Sequence, residues 1–472
     1  MKDIRKLPIQ QEPGLGKQRN YNEVVEFLDN NWKTAIDTKA QKIKKLDAAL
    51  GSPAKDIKGI AVAGTNGKSI TIQFVSKLLK EEGMKIGAFY APHILTYNER
   101  LSVSGESIAN KEFTEIANEV INASETNKLQ AHSFEILTMM AVLYFKKHGV
   151  DAAVFETSDV NFVEQLSIVN PCIIAITRVI DETAQDEKYV PSNIIERILS
   201  LVGKGSHVFS ADQSKANLQL MLEITEQKGG VWGMPIRKLA QLTYPFEQLH
   251  GRCGALAERI AEVYVNTFAN QDSIVVSDTI LAKTKGQRGR PTLEAKRLSE
   301  LNPKRTVNQF WRETCATLPA RFQLFDKEKP SILLDNASNL DAIENILLGI
   351  RLLHYKKPLK GLTLVIGCNN PDINVNGLAR ALRYFFKKTS GQVVICPVNS
   401  MSNEANARSW DVEKTINCMK DLKIKARSAG SFQEAFEYAQ KSVDERNGLV
   451  VVTGSTAIIN EYWQNKGIKK IA

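Results

Sequence analysis

A chain of 472 residues is long enough for two or three domains, each with its own core. No apolar run approaches the ~20 residues that cross a bilayer, and the opening MKDIRKLPIQQEPGLGKQRN lacks the apolar stretch of a secretory signal, so a cytoplasmic protein without membrane contact is expected. Six cysteines without a C-x-x-C pair and six scattered histidines argue against a zinc site or a disulfide framework, and the net charge of +10 raises the question of an acidic ligand.

In chain order, residues 57–64 (IKGIAVAG) read as a buried strand. Residues 68–83 then carry Ile72, Val75, Leu78 and Leu79 at helical spacing and stop at a glycine. KIGAFYAP reads as the next strand. Residues 133–149 (SFEILTMMAVLYFKKHG) read as a mostly apolar helix with cations and glycine at its end, and residues 150–157 and 171–179 as two more buried strands. Strands alternating with helices imply a parallel sheet covered on both faces.

Residues 283–305 interrupt this pattern with eight Lys/Arg against two Glu; without them the chain carries only +4. Arg288-Gly289-Arg290-Pro291 superficially matches the core of a minor-groove hook. A solvated basic loop is the simpler reading, so nucleic acid is not an expected partner. Beyond it, residues 331–338, 361–369, 391–398 and 447–455 read as strands separated by helices, a second α/β domain of about 150 residues.

The chemistry concentrates in GIAVAGTNGKSITI, residues 59–72. Strand, glycine turn and helix follow in the order that turns backbone N–H groups toward an anion. Lys68 would reach a terminal phosphate, and Ser69 could bind Mg²⁺. The usual phosphate loop has glycine where this chain has Val62.

The A-x-G-T-N-G-K spacing resembles the phosphate loop of the Mur ligase superfamily, in which Gly64 would make the first tight turn. Residues 91–108 (APHILTYNERLSVSGESI) narrow the resemblance to folylpolyglutamate and dihydrofolate synthases. YNEVVEFL, LGSP, VDAAVFE, TLPARFQLF, LLDNASN and VVTGST match further segments of that family in order.

The resemblance implies an N-terminal and central Mur-ligase-like ATP-binding domain over 1–282, with a mostly parallel sheet. A basic insertion and linker would follow over 283–316, then a smaller Rossmann-like α/β domain over 317–472. It implies ATP-dependent ligation of L-glutamate to a folate or dihydropteroate carboxylate through an acyl phosphate, with ATP and Mg²⁺ as cofactors and a monomer as the working form. Gly64, Thr65, Asn66, Gly67, Lys68 and Ser69 would cradle the phosphates. Ser69 and Glu156 would hold metal, Arg321 would reach the phosphates from the C-terminal domain, and Asp335 would anchor the nucleotide. Lys68, Glu156 and Arg321 are the expected catalytic groups.

The chain also departs from the family pattern. Ala91 replaces a metal-binding serine, IDET (180–183) replaces L-D-H, Leu199 stands nearest the carbamoylated lysine with Lys204 five residues on, and Ser338 replaces a phosphate-facing histidine. Residues 249–264 lack the glutamine and asparagine that contact ATP in the family. These changes suggest a second reading, a nucleotide-binding relative without ligase activity. A Mur-type cell-wall ligase is a further alternative, against which Asn98-Glu99-Arg100 argues.

Overall fold

The computed structural model describes residues 16–32, 40–157, 160–181, 190–237, 247–269, 318–369, 374–399 and 409–470, with backbone alone at 160–162 and 247–248. The basic tract at 283–305, Glu182 and Cys315 lie outside the described residues.

Helices α1 (Tyr21–Asn31) and α2 (Gln41–Ala49) lead to β1 (Gly59–Ala63), α3 (Lys68–Glu81) and β2 (Ile86–Phe89). A hairpin follows, β3 (Leu101–Val103) and β4 (Glu106–Ser107), turning through Ser104 and Gly105 at φ 53° and 89°. Both values are positive, as the type I′ form of a two-residue hairpin turn requires. Next come α4 (Asn110–Thr126), α5 (Ser133–His148), β5 (Ala152–Glu156), β6 (Ile173–Ile176), α6 (Ser192–Leu199), β7 (His207–Ser210), α7 (Lys215–Gln227), β8 (Val231–Trp232) and α8 (Glu247–Thr267). The ends of α5 follow from its sequence: His132 and Glu135 form a capping box, and Gly149 takes the left-handed conformation that ends the helix.

The first sheet runs β4-β3-β2-β5-β1-β6-β7-β8. It is parallel except for β3 and β4, which pair antiparallel at one edge. The expectation of a mostly parallel sheet thus holds, and the antiparallel pairs are confined to this edge, where a tight hairpin can only join antiparallel strands.

Side chains alternate across each strand, and the two faces separate cleanly. Ala61, Ala63, Phe89 and Phe155 pack with α1, α2, α4 and α5, whereas Ile60, Val62, Ala88 and Val154 pack with α3 and α8. Burying each large side chain contributes roughly 1.5–3 kcal/mol, so two covered faces explain why these strands are apolar throughout.

The second sheet begins with β9 (Gln323–Phe325) and β10 (Ser331–Leu334), an antiparallel pair. It continues with α9 (Leu340–Lys356), β11 (Leu362–Ile366), α10 (Val375–Phe386), β12 (Gln392–Ile395), α11 (Val412–Asp421), β13 (Ala426–Ser428), α12 (Phe432–Lys441), β14 (Leu449–Thr453) and α13 (Thr456–Asn465). The order is β13-β12-β11-β14-β10-β9, with α9 to α11 on one face and α12 and α13 on the other.

In the first sheet, β1 lies between β5 and β6, and the chain leaves β1 in one direction but crosses over it from β5 to β6. Such a switch point opens a crevice at the carboxyl ends of the strands. The loop at 64–67 sits there. Among the described residues, no helix is long and apolar enough to cross a membrane.

Candidate active site

The loop after β1 owes its path to two glycines. Gly64 has φ 126°, and a Cβ there would lie 2.3 Å from Thr177 Oγ1 and 2.9 Å from Arg178 O. Gly67 has φ 91° and caps α3, with Cys253 Sγ 2.8 Å from where a Cβ would be. Neither position accepts a side chain. The loop is tied to the segment after β6 by Thr65 N, which donates to Arg178 O at 2.6 Å, and by Thr65 Oγ1, which pairs with both O and N of Ile180.

Lys68 folds over this loop, its Nζ donating to Gly64 O at 2.8 Å and Thr65 O at 3.1 Å. The first N–H groups of α3 have no acceptor within the helix and make an electropositive end. A lysine beside that end adds a second positive charge to a helix N-terminus of the kind that suits an anion.

Ser69 joins the two sheets. Its Oγ donates to Glu156 Oε1 at 3.0 Å and accepts from Arg321 Nη2 at 3.0 Å. Glu156 ends β5, is only 2% exposed, and accepts Ala91 N on its other oxygen at 3.2 Å. Burial raises the pKa of its carboxyl, while the charges of Lys68 and Arg321 pull the other way.

Asp335, just beyond β10, accepts Phe322 N at 2.7 Å and Ala337 N at 2.9 Å, so it holds the backbone on which Arg321 stands. Burial pushes its carboxyl up to about 6 despite the neighbouring guanidinium and these two donors. Lys68, Ser69, Glu156 and Arg321 therefore converge, with Asp335 behind Arg321.

The Pro-His to Asn-Glu-Arg segment does a different job. Glu99 accepts N–H groups from Ile94, Leu95 and Thr96 at 2.7–2.8 Å, and Arg100 is buried between His93, Trp32 and Tyr97. These residues fix the shape of the loop that leads Ala91 to Glu156.

The departures have structural counterparts. Ala91 contributes its main chain alone, Leu199 is buried in the core, and Lys204 is exposed. Among the described residues, no group of three His, Cys, Asp or Glu could hold a metal ion. Ser69 and Glu156 nevertheless offer a hydroxyl and a carboxylate side by side. That donor set suits Mg²⁺, which takes one or two protein oxygens and completes its shell with phosphate and water.

Several participants were not found by sequence reasoning. His250 is buried within reach of the charge of Arg321, and its pKa is pushed down to about 4 first by burial and then by that charge. Asn339 and Asp341 reach the phosphate loop from α9. Only the helix-capping role of Asn339 has a local signal, a polar residue before an apolar-periodic segment.

No family model matches the chain. It is 27% identical over 341 residues to the dihydrofolate synthase/folylpolyglutamate synthase of Bacillus subtilis, covering 69% of this chain and 75% of the relative. The fold is similar to Mycobacterium tuberculosis folylpolyglutamate synthase complexed with ADP, with a TM-score of 0.74, 19% identity and coverage of 95% and 98% of the two chains. It is similar also to E. coli FolC in complex with DHPP and ADP, with a TM-score of 0.70, 19% identity and coverage of 95% and 98%. With the loop, Glu156 and Arg321 gathered in one cleft of this fold, the chain is similar in sequence and in fold to folylpolyglutamate and dihydrofolate synthases.

Proposed function

We propose that the protein joins L-glutamate to a folate or dihydropteroate carboxylate at the expense of ATP. The observation that carries this reading is the contact of Arg321 with Ser69, which brings a cation from the second sheet to the phosphate loop of the first. The acceptor carboxylate oxygen attacks the terminal phosphorus and ADP leaves. The amine of glutamate then attacks the carbonyl carbon of the acyl phosphate, inorganic phosphate departs, and the amine gives up its proton.

The first step asks the protein mainly for position and charge. Lys68 and the start of α3 bind the phosphates, and Arg321 meets the negative charge that builds on the equatorial oxygens. Ser69 and Glu156 would hold Mg²⁺, which neutralises charge on the transferred group when bound. Asp335 fixes Arg321 through Phe322 N.

The division into 1–282, 283–316 and 317–472 belongs to this proposal, with the second sheet as the glutamate-ligase domain. A monomeric state and a cytoplasmic location belong to it as well. Five cysteines remain free among the described residues, as a reducing compartment would keep them.

The test is ADP release from ATP with Mg²⁺ and L-glutamate, with dihydropteroate and tetrahydrofolate assayed in parallel. Release that needs one of the two pterins and is lost in Lys68→Ala is expected. Release at background with both would reject the ligase and favour a relative that only binds nucleotide.

A further inference from the structure

The amide of Asn66, in the middle of the phosphate loop, is committed to the second sheet's domain. Its Nδ2 donates to Asn339 Oδ1 at 3.1 Å and Asp341 Oδ2 at 2.8 Å, and its Oδ1 accepts Asn339 Nδ2 at 2.9 Å. The other oxygen of Asp341 pairs with Arg178 Nη1 at 2.5 Å. Arg178 in turn bonds the loop through its main chain, accepting Thr65 N and bridging Asn66. One carboxylate in the first turn of α9, two residues after the Asn339 cap, therefore holds the side chains of both segments, Asn66 of the loop and Arg178 after β6.

We propose that Asp341, together with Asn339, is a positioning latch that seats the C-terminal domain on the phosphate loop and so sets how far Arg321 reaches toward the reacting phosphate. The inference rests on the ligase reading for its kinetic consequence and on the interdomain contacts for its structural one. The residues that bind the phosphates are carried by the first domain, while Arg321 arrives from the second. Loosening the latch therefore leaves ATP binding largely intact and misplaces the group that acts on the transition state. Glu344, in the same helix, feels the charges of both Asp341 and Arg178.

The test compares Asp341→Ala, Arg178→Met and the exchange Arg178→Asp/Asp341→Arg in the full-length protein. Misplacing a catalytic group costs up to about a hundredfold, so Asp341→Ala should lower kcat at least about tenfold while KM for ATP stays near its original value. Arg178→Met should lose less, because the bond to Asn66 remains. The exchange should recover part of the loss, a coupling that two independent structural residues do not show.

Amide hydrogen exchange of residues 64–69 supplies a second readout that needs no turnover. Asp341→Ala should speed exchange in this loop, and the exchanged pair should slow it again. Unchanged loop exchange in Asp341→Ala would overturn the latch even if the enzyme is a ligase. Normal loop protection in wild type, lost in Asp341→Ala, would uphold it even if no ligase turnover is found. An unchanged kcat in Asp341→Ala of an active enzyme would overturn the claim on Arg321.

Discussion

Arg321 stands between two residues with left-handed backbones, Ala320 and Phe322, both at φ 50°. Neither is glycine, and such conformations cost of order 1–3 kcal/mol each. They persist because Ala320 O accepts Asn336 N and Phe322 N donates to Asp335, two tethers to the segment after β10. The strain aims the guanidinium out of its own domain and at Ser69.

Asp335 gives this arrangement a pH signature. Its folded pKa, raised by burial to about 6, exceeds the ordinary 3.8. A group raised in this way adds stability below its unfolded value and loses that contribution as pH rises through its folded value. The unfolding free energy of the wild type should therefore decline between pH 4 and 6 relative to Asp335→Asn, measured by denaturant titration at each pH. Parallel curves for the two proteins would contradict the raised carboxyl.

At this scale the loop was the most legible part, because Gly64, Gly67, Lys68 and Ser69 form a local motif whose chemistry depends on their spacing. Glu156 and Arg321 needed the resemblance. Arg178, His250 and Asp341 left no trace, since each acts through a partner more than 70 residues away.

Among the elements, α9 has an unusual duty, since it passes close behind the residue that neighbours Arg321. A Cβ at Gly349 would lie 2.3 Å from Phe322 Cε2 and 2.8 Å from Leu249 Cδ1 of α8. Replacing a helical glycine with alanine ordinarily gains up to about 1 kcal/mol, whereas overpacking a filled core costs about 1–3 kcal/mol. The second effect should win. Gly349→Ala is expected to lower the melting temperature and, by moving Phe322, to reduce kcat; a more stable and fully active variant would show that the helix can shift freely.

The alternation of strands and helices was readable because buried parallel strands are apolar throughout and helices keep a 3.6-residue period. β1, β5, β6, β10, β11, β12 and β14 all fall inside their expected segments. The edge elements β3, β4 and β9 escaped. They are two or three residues long, and a stretch that short carries no period.

In the whole molecule, the candidate site spans the cleft between the two sheets, where Ser69 meets Arg321. The phosphate loop belongs to one side and Arg321 to the other, and neither alone assembles the site. Three further contacts hold the sides together. Ile94 packs into the second domain's core, Asn460 Nδ2 donates to Ile94 O at 2.6 Å, and Leu249 of α8 packs against the opposite face. The sequence showed two α/β units, but nothing in its periodicity could show which residues meet across the cleft. That information lies in tertiary packing, which brings Asn66 and Asn339 together from 273 positions apart.

The proposed reaction requires that the acceptor carboxylate be phosphorylated before glutamate attacks. An acceptor folate or dihydropteroate carrying ¹⁸O in its carboxylate, incubated with ATP, Mg²⁺ and L-glutamate, tests it most directly by mass spectrometry of the inorganic phosphate released. Transfer of one ¹⁸O to that phosphate in step with formation of the glutamylated product is the predicted result. Glutamylated product accompanied by unlabelled phosphate would contradict the acyl phosphate, and the absence of any glutamylated product would contradict the ligase itself.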